Sequence, residues 1–513
     1  MNAPESKHIL LFPVHIWGHT RPMCTLAARL VQLESVTVTF FVAASLYERI
    51  KAEVARDFDM GAQDPRLSGL RFVVLEQGNV PHDPEVIDQS FMSLWGELLS
   101  GREVACSSIN GVDSKWKLSA SPPDAIVLDI FATCLVFDTF HEQRHTWNLP
   151  RPLKLFSWLP VTTSWALVLH RQNLIPMIED MVSREGITFG EAAYDLLWTP
   201  KGKVLTSPCL PPLYDYECHP QAMPILPNFV SGIFAHIGRK LENTDGVITF
   251  DAADYNPKAT TALRDWFAQT SRPVCYAGPL VPSNNTGDSA SSDATSEGVA
   301  KFLDNQLAIH GAKSVIYVSF GSMLWPSDPA KLDAVLDVLM AKHIPVVITH
   351  PSAAMMLLPE TRRKLVEYDG AFSADWIPQQ AVLDHPAVGW CLTHGGHNSV
   401  LECILTGVPM IVWPIVVDQP MNAVHLSANI DVAYELVEVR HGSGLGPICR
   451  TGKTPSGTLD AVKAEFTDVL DRAFGKDGEE KRARLQTLKA TLEGAWKEDG
   501  VARRDVRQLL EGI

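Results

Sequence analysis

One turn constrains this chain more than any other segment. It is Thr393-His-Gly-Gly-His-Asn-Ser399, set between the apolar run Val388–Leu392 and a run of helical period, Asn398–Leu405, that Gly407 stops. A second apolar run, Pro409 to Trp413, follows, so the segment reads strand, turn, helix, strand. At a strand-to-helix turn the unpaired N–H groups and the positive end of the helix dipole face any bound anion. Gly395 and Gly396 allow close approach of the backbone, and His394, Asn398 and Ser399 supply neutral donors. The segment has neither GxGxxG nor a Walker loop, so the dinucleotide and P-loop readings are excluded. From these residues alone the turn is equally an ordinary helix start capped by Asn and Ser.

At 513 residues the chain exceeds a single core and predicts two or three domains. Its 46% hydrophobic and 20% charged residues are those of a globular protein. A net charge of −15 argues against nucleic acid as the main partner. Nine cysteines without a CxxC pair favour free thiols over a disulfide or zinc framework. The apolar run near the N-terminus is too short for a signal peptide, and no run is long enough for a membrane span, so a cytoplasmic protein is expected. The sequon at Asn284 would then go unused.

Apolar runs at His8–Val14, Val36–Ala43, Leu70–Leu75, Asp124–Leu128, Leu153–Phe156, Gly246–Phe250 and Val274–Ala277 predict buried parallel strands. Between the first two, a loop at His15–Thr20 precedes a helix with Met23, Leu26, Ala27, Leu30 and Leu33 on one face, a βαβ unit. Residues 76–120 and 160–225 read as irregular insertions above the sheet. Val281 to Gly298, rich in Ser, Asn, Asp and Gly, reads as a flexible linker. A second unit then opens with strands at Ser314–Phe320 and Pro345–Thr349 around a helix at Pro329–Met340. Near the C-terminus Leu485, Leu488, Leu492 and Trp496 share a helical face, and a short helix spans Asp505–Leu510. The fold class expected is α/β, with two doubly wound halves facing a cleft.

His19, in Gly18-His-Thr-Arg-Pro22, follows the first strand, and Asp129 ends the strand AIVLD, so both emerge at the carboxyl edge of one sheet. A histidine there can serve as a base near neutral pH, and an oriented carboxylate fixes its tautomer. Either residue alone is as readily a backbone-satisfied histidine or a turn aspartate. In the second half, Trp376 can stack on a flat base or pack at a core edge. Glu402 sits one turn into the helix, able to accept ribose hydroxyls or simply to face solvent. Asp418-Gln419-Pro420 starts a further helix, and both side chains can cap it or bind sugar hydroxyls. Asp57-Phe-Asp59 reads as part of a surface helix rather than a metal site.

Together these residues resemble the family 1 UDP-dependent glycosyltransferases, which have the GT-B fold. Trp376 to Gln419 matches the family's 44-residue donor signature in length and at nearly every diagnostic position. GHxxP at 18–22, Asp129, TDGVITFDAAD at 244–254, YAGPL at 276–280 and VSFGS at 318–322 support the match. The resemblance implies an acceptor-binding Rossmann-like domain over 1–280, a linker over 281–298, a UDP-sugar-binding domain over 299–484, and C-terminal helices over 485–513 that pack back on the first domain. It implies Trp376 stacked on uracil with Ile377 reading its edge, and Gln379 and Glu402 at the ribose. Ser322, His394, Gly396, Asn398 and Ser399 would hold the pyrophosphate, with His397, Asp418 and Gln419 toward the sugar. Gln419 leans to glucose.

His19 would be the base and Asp129 its partner in an inverting transfer that needs no metal and no cofactor beyond the UDP-sugar co-substrate. The acceptor is expected to be an apolar hydroxylated small molecule, a phenolic, flavonoid or terpenoid. It would be met by Trp17, Phe91, Trp95, Phe131 and Trp158, with Trp165, Trp198, Met177 and Met181 nearby. The rival readings are a sterol or lipid glucosyltransferase and a silent UDP-sugar-binding regulator. One departure stands out: the family's plant members usually have Trp where this chain has His397.

Overall fold

A computed structural model of the chain describes residues 6–33, 36–76, 83–110, 113–223, 227–282, 293–350 and 357–513. Seven parallel strands form the first sheet: β1 (Lys7–Phe12), β2 (Val36–Ala43), β3 (Leu70–Leu75), β4 (Ala125–Asp129), β5 (Lys154–Leu159), β6 (Gly246–Thr249) and β7 (Val274–Tyr276). Their order is β7-β6-β5-β4-β1-β2-β3. Six more form the second: β8 (Val315–Ser319), β9 (Val346–Thr349), β10 (Ala371–Ala374), β11 (Val388–Thr393), β12 (Met410–Val412) and β13 (Ala433–Glu435), in the order β10-β9-β8-β11-β12-β13. The architecture is thus the expected pair of doubly wound α/β units.

The order matters because each sheet reverses its direction of growth at one strand pair. In the first sheet β1 lies between β2 and β4, with Leu11 opposite both Phe40 and Val127. In the second β8 lies between β9 and β11, with Val318 opposite both Ile348 and Leu392. Connections leave such a pair to opposite sides, opening a crevice at the strands' carboxyl ends where ligands bind. The strand-end residues singled out in the sequence lie at these two places.

Both faces of the sheets are covered, which explains why their strands are near-continuous apolar runs. On one face of the first sheet Ile9, Leu11 and Phe40 pack against Leu26 and Leu30 of α1 (Trp17–Leu33). On the other, Leu10, Phe12 and Phe41 meet Phe91, Trp95 and Leu98 of a helix over Pro84–Leu99. That helix corrects the irregular reading of 76–120: Asp83 caps it, Pro84 opens it, and Ile87, Phe91, Trp95 and Leu98 recur at helical spacing. Residues 160–225 likewise hold three helices, Thr163–Leu169, Ile175–Glu185 and Phe189–Trp198, and an antiparallel strand pair.

Other boundaries shift for local reasons. α1 begins at Trp17, so the expected loop is shorter and His19 lies in the helix's first turn, where Thr20 N–H donates to Ile16 O at 3.0 Å. Residues 293–298 of the expected linker belong to the helix Asp293–His310, while residues 283–292 of it, with the sequon at Asn284, lie outside the described residues. Asp57-Phe-Asp59 is a turn after the helix α2 (Tyr47–Ala55), not a helix.

The helix Lys476–Leu492 packs on the second half, with Arg482 Nη2 donating to Gly389 O at 2.9 Å. Beyond it the chain returns to the first sheet. Trp496 Nε1 donates to Ala277 O at 2.8 Å, and Asp505 Oδ2 accepts from Tyr276 N at 3.0 Å and Arg264 Nη2 at 2.6 Å. All nine cysteines are free thiols. Among the described residues no helix is long and apolar enough to cross a membrane.

Candidate active site

Two acid–imidazole pairs, one fully buried and one partly so, and a glycine turn face one another where the sheets' crevices meet. His19 Nδ1–H donates to Asp129 Oδ2 at 2.9 Å. Asp129 ends β4 with no exposed surface, and backbone groups complete its shell: Val14 N–H donates to Oδ2 at 3.1 Å and Phe131 N–H to Oδ1 at 3.0 Å. The carboxylate can therefore neither rotate nor drop the imidazole, which leaves His19 Nε2 as the free, basic nitrogen. Phe131 stands edge-on to His19 with centroids 5.1 Å apart, and Trp165 stacks behind Phe131 at 5.5 Å.

Proline at the end of GHxxP has a specific effect here. Pro22 lies inside α1 and has no N–H to offer the Gly18 carbonyl one turn back. That carbonyl instead accepts Asn398 Nδ2 from the second half at 2.8 Å. The residue before the imidazole is thus tied directly to the glycine turn.

In the turn itself, Gly395 takes φ +82°, and a Cβ there would lie 2.7 Å from Val412 Cγ1. Gly396 is needed for a different reason: a Cβ would lie 2.4 Å from His394 Nε2, and one on Gly321 would also crowd that ring, at 2.9 Å. Burial between them lowers the His394 pKa to about 4, so it presents a neutral ring. Gly396 is the N-cap of α6 (His397–Thr406), and no side chain caps it. The capping alternative for Asn398 and Ser399 is therefore not what the chain adopts. Asn398 reaches Gly18, Ser399 Oγ accepts Gln379 Nε2 at 3.4 Å, and Ser322 lies in the turn after β8.

The region around Trp376 and Glu402 is held by contacts the sequence did not disclose. Arg21 of α1 forms an ion pair with Glu402, its Nη1 2.7 Å from Oε1, and its Nε donates to Glu53 Oε1 at 2.8 Å. Gln379 Nε2 takes Glu402 Oε2 at 2.6 Å, while its Oε1 accepts from Tyr317 and Ser319, each at 3.2 Å. Burial pushes the Glu53 carboxyl up, but the guanidinium groups of Arg21 and Arg56 outweigh it and hold it below its ordinary value. Arg56 also bonds Gln380. Arg49 lies between two indoles, 3.6 Å from the Trp17 centroid and 4.3 Å from that of Trp376. Ile377 is buried beside Trp376. The space enclosed by Arg21, Arg56, Gln379, Gln380 and Glu402 is about 20 Å³, room for one water.

At the opposite end, Asp418 is buried at the start of α7 (Gln419–Val424) but makes no cap bond. Its Oδ2 accepts Thr162 N–H and Asn422 Nδ2, each at 3.4 Å. Gln419 Oε1 accepts Ile415 N–H at 2.9 Å and Val416 N–H at 3.0 Å. Burial pushes the Asp418 carboxyl up to about 6, with His397 and the more distant His19 opposing it. His397 does not occupy the place of a free side chain on the turn. Its Nε2 bonds Asp251 Oδ1 at 2.8 Å, and its Nδ1 has no hydrogen-bond partner.

The expected acceptor residues separate in the structure. Phe131 adjoins His19, whereas Trp17 stacks under Arg49 on the side of Trp376. Phe91 and Trp95 require correction: they are core, packed with Phe12, Phe41, Phe140 and Trp147 beneath the sheet. Trp158 is also core, paired in register with Asp129 and packed on Phe250. Trp165 and Trp198 belong to an aromatic cluster around Phe234, while Met177 is exposed on the outer helix Ile175–Glu185, which also carries Met181. The unanticipated members are Arg21, Arg49 and Asp251. Each had a weak signal: a cation two places from His19, a cation on the next helix, and an acid just past a strand end.

Residues 246–439 match the family model described as UDP-glucoronosyl and UDP-glucosyl transferase. Among curated proteins, the UDP-glycosyltransferase eriJ of Hericium erinaceus is 29% identical over 100% of this chain and 99% of its own. Among solved structures, Medicago truncatula UGT71G1 complexed with UDP-glucose superposes with a TM-score of 0.68 at 17% identity, covering 99% of this chain and 98% of its own. Phytolacca americana UGT2, complexed with UDP-2-fluoro-glucose and pterostilbene, does so at 0.64 and 20% identity, covering 99% of both. The end-to-end relative, the family match over the glycine turn and the twin-sheet fold agree: the chain is similar along its whole length to the family 1 UDP-dependent glycosyltransferases and is a glycosyltransferase enzyme of the GT-B fold.

Proposed function

We propose that this glycosyltransferase moves glucose from UDP-glucose to a hydroxyl of an apolar small molecule, giving a β-glycoside by inversion. Residues 1–280 take the acceptor and 299–484 the donor. The observation that carries the reading is the His19–Asp129 pair, tied through Gly18 to the glycine turn at Asn398. His19 Nε2 takes the proton from the acceptor hydroxyl as that oxygen attacks the anomeric carbon from the face opposite UDP. Asp129 keeps the second nitrogen protonated and stabilises the imidazolium that forms. The leaving diphosphate is received by the N–H groups at the start of α6, by Asn398, Ser399 and Ser322, and by the neutral His394 ring. Trp376 carries uracil, with Ile377 at its edge, and Glu402 and Gln379 bind the ribose. Asp418 and Gln419 accept the sugar hydroxyls.

Two relatives point the same way. One solved neighbour is complexed with UDP-glucose and another with a fluoro analogue and pterostilbene, a phenolic ligand. The aromatic cluster of Phe131, Trp165 and Phe234 beside His19 gives an apolar acceptor a surface to lie on. A silent sugar-nucleotide binder has no use for a base held this firmly. The test is a panel of phenolics, flavonoids, terpenoids and sterols offered with UDP-glucose and read by the mass added. Failure of every acceptor to gain a hexose, while another UDP-sugar supports transfer, overturns the glucose assignment.

The buried Asp418 supplies a pH prediction. Ionising it in the folded chain costs roughly 3 kcal/mol more than in the unfolded chain, from its rise to about 6. Between about pH 4 and 6 the folded chain therefore holds more protons, and this group's contribution to stability falls as pH rises through that window. Sugar hydroxyls need the ionised form as acceptor. The KM for UDP-glucose is expected to rise as pH falls through about 6, while the Kd for UDP stays level. An equal pH dependence of both would show that Asp418 does not meet the sugar.

A further inference from the structure

Asp251 stands just past the end of β6, in the first half, yet reaches the glycine turn of the second. It is 1% exposed, and every oxygen is used. Oδ1 bonds His397 Nε2 at 2.8 Å, while Oδ2 accepts Thr163 N–H at 2.8 Å, Thr163 Oγ1 at 2.9 Å and Thr162 Oγ1 at 3.3 Å. Thr162 held this way points its own N–H at Asp418 Oδ2. A second route runs to the same carboxylate. Phe250 and Tyr255 stand edge-on to the His397 ring at 5.1 and 5.0 Å, and Tyr255 OH donates to Asn422 Oδ1 at 3.0 Å. Asn422 Nδ2 then reaches Asp418 Oδ2, and Gly395 O at 2.9 Å.

Both hydrogen bonds to Asp418 thus come from groups anchored by Asp251 or by the residues that box its partner. The members are buried, so no water stands in for a missing one, and a buried polar network is costly when one bond is removed. His397, whose side chain is completely buried, brings a ring nitrogen to a place where this carboxylate is its partner. We propose that Asp251 is a positioning residue of the donor site, which through His397 and Thr162 holds Asp418 in register for the sugar across the closed halves. The inference rests on the reading of Asp418 as a sugar contact.

The experiment measures calorimetric Kd values for UDP and for UDP-glucose in the full chain, with no acceptor present. Asp251→Asn keeps the shape but not the charge; His397→Gln breaks the same contact from the other side, should the first variant not fold. Either change is expected to weaken UDP-glucose by about tenfold or more while UDP shifts by less than about threefold. The double variant should be no worse than the weaker single one, since both remove one contact. Equal weakening of UDP and UDP-glucose, or unchanged affinity for both in a folded variant, overturns the proposal. Asp418→Asn is run in parallel. If it loses the sugar-selective affinity and Asp251→Asn does not, the donor reading stands and this inference falls; if Asp418→Asn loses nothing, the donor reading itself fails.

Discussion

Replacing His19 with alanine is expected to lower kcat by roughly 10²- to 10⁴-fold, the usual worth of a positioned general base. The Kd for UDP should stay within about threefold, because the imidazole bonds Asp129 and takes no part in the glycine turn. That pattern, a fall in kcat with donor binding retained, separates a base from a structural histidine. Asp129→Asn is expected to be nearly as damaging. An amide in that place can no longer accept from His19 Nδ1, Val14 N and Phe131 N together, so the ring loses its fixed tautomer. Single-turnover rates at saturating donor decide the matter, and full activity in His19→Ala would remove it from the mechanism.

Glu402→Ala carries the second large expectation, and it has two parts. Glu402 is 2% exposed and pairs with both Arg21 and Gln379, so truncation leaves a buried cation and a buried amide short of a partner. Breaking a buried pair costs about 3–5 kcal/mol. Arg21 keeps Glu53, which places the loss toward the lower figure. The second part is the ribose: loss of a charged acceptor should weaken UDP by roughly 10- to 100-fold. Glu402→Gln, which restores the shape, should recover most of the stability and little of the affinity. Thermal unfolding and UDP titration of the two variants read the parts separately. Undiminished UDP affinity in Glu402→Ala would show that the carboxylate serves Arg21 alone.

How far such sites can be read from sequence depends on where the determining contact lies along the chain. β2 and β3 have the bounds their apolar runs predicted, because burial on both faces leaves a local signature. The helix Pro84–Leu99 was hidden by its own aromatics, which read as a binding surface although they pack in the core. His19 and Asp129 were legible as strand-end residues, since a strand's end fixes which edge a side chain reaches. Asp251 was not: its partner His397 lies 146 residues away, and nothing local to either residue announces the other. Arg21 and Arg49 left only a weak signal for the same reason, as surface-type residues that each have one partner in the opposite half.

The proline of Gly18-His-Thr-Arg-Pro22 acts by what it lacks. Because its ring nitrogen carries no hydrogen, the Gly18 oxygen is left for Asn398, and the His19 segment and the glycine turn become neighbours through a single hydrogen bond. In the mechanism proposed above, parting of the two halves would have to break that tether and so would draw His19 away from the donor sugar as water enters. A donor held in the parted halves would then be spared hydrolysis, and the activated sugar kept for the hydroxyl that completes closure.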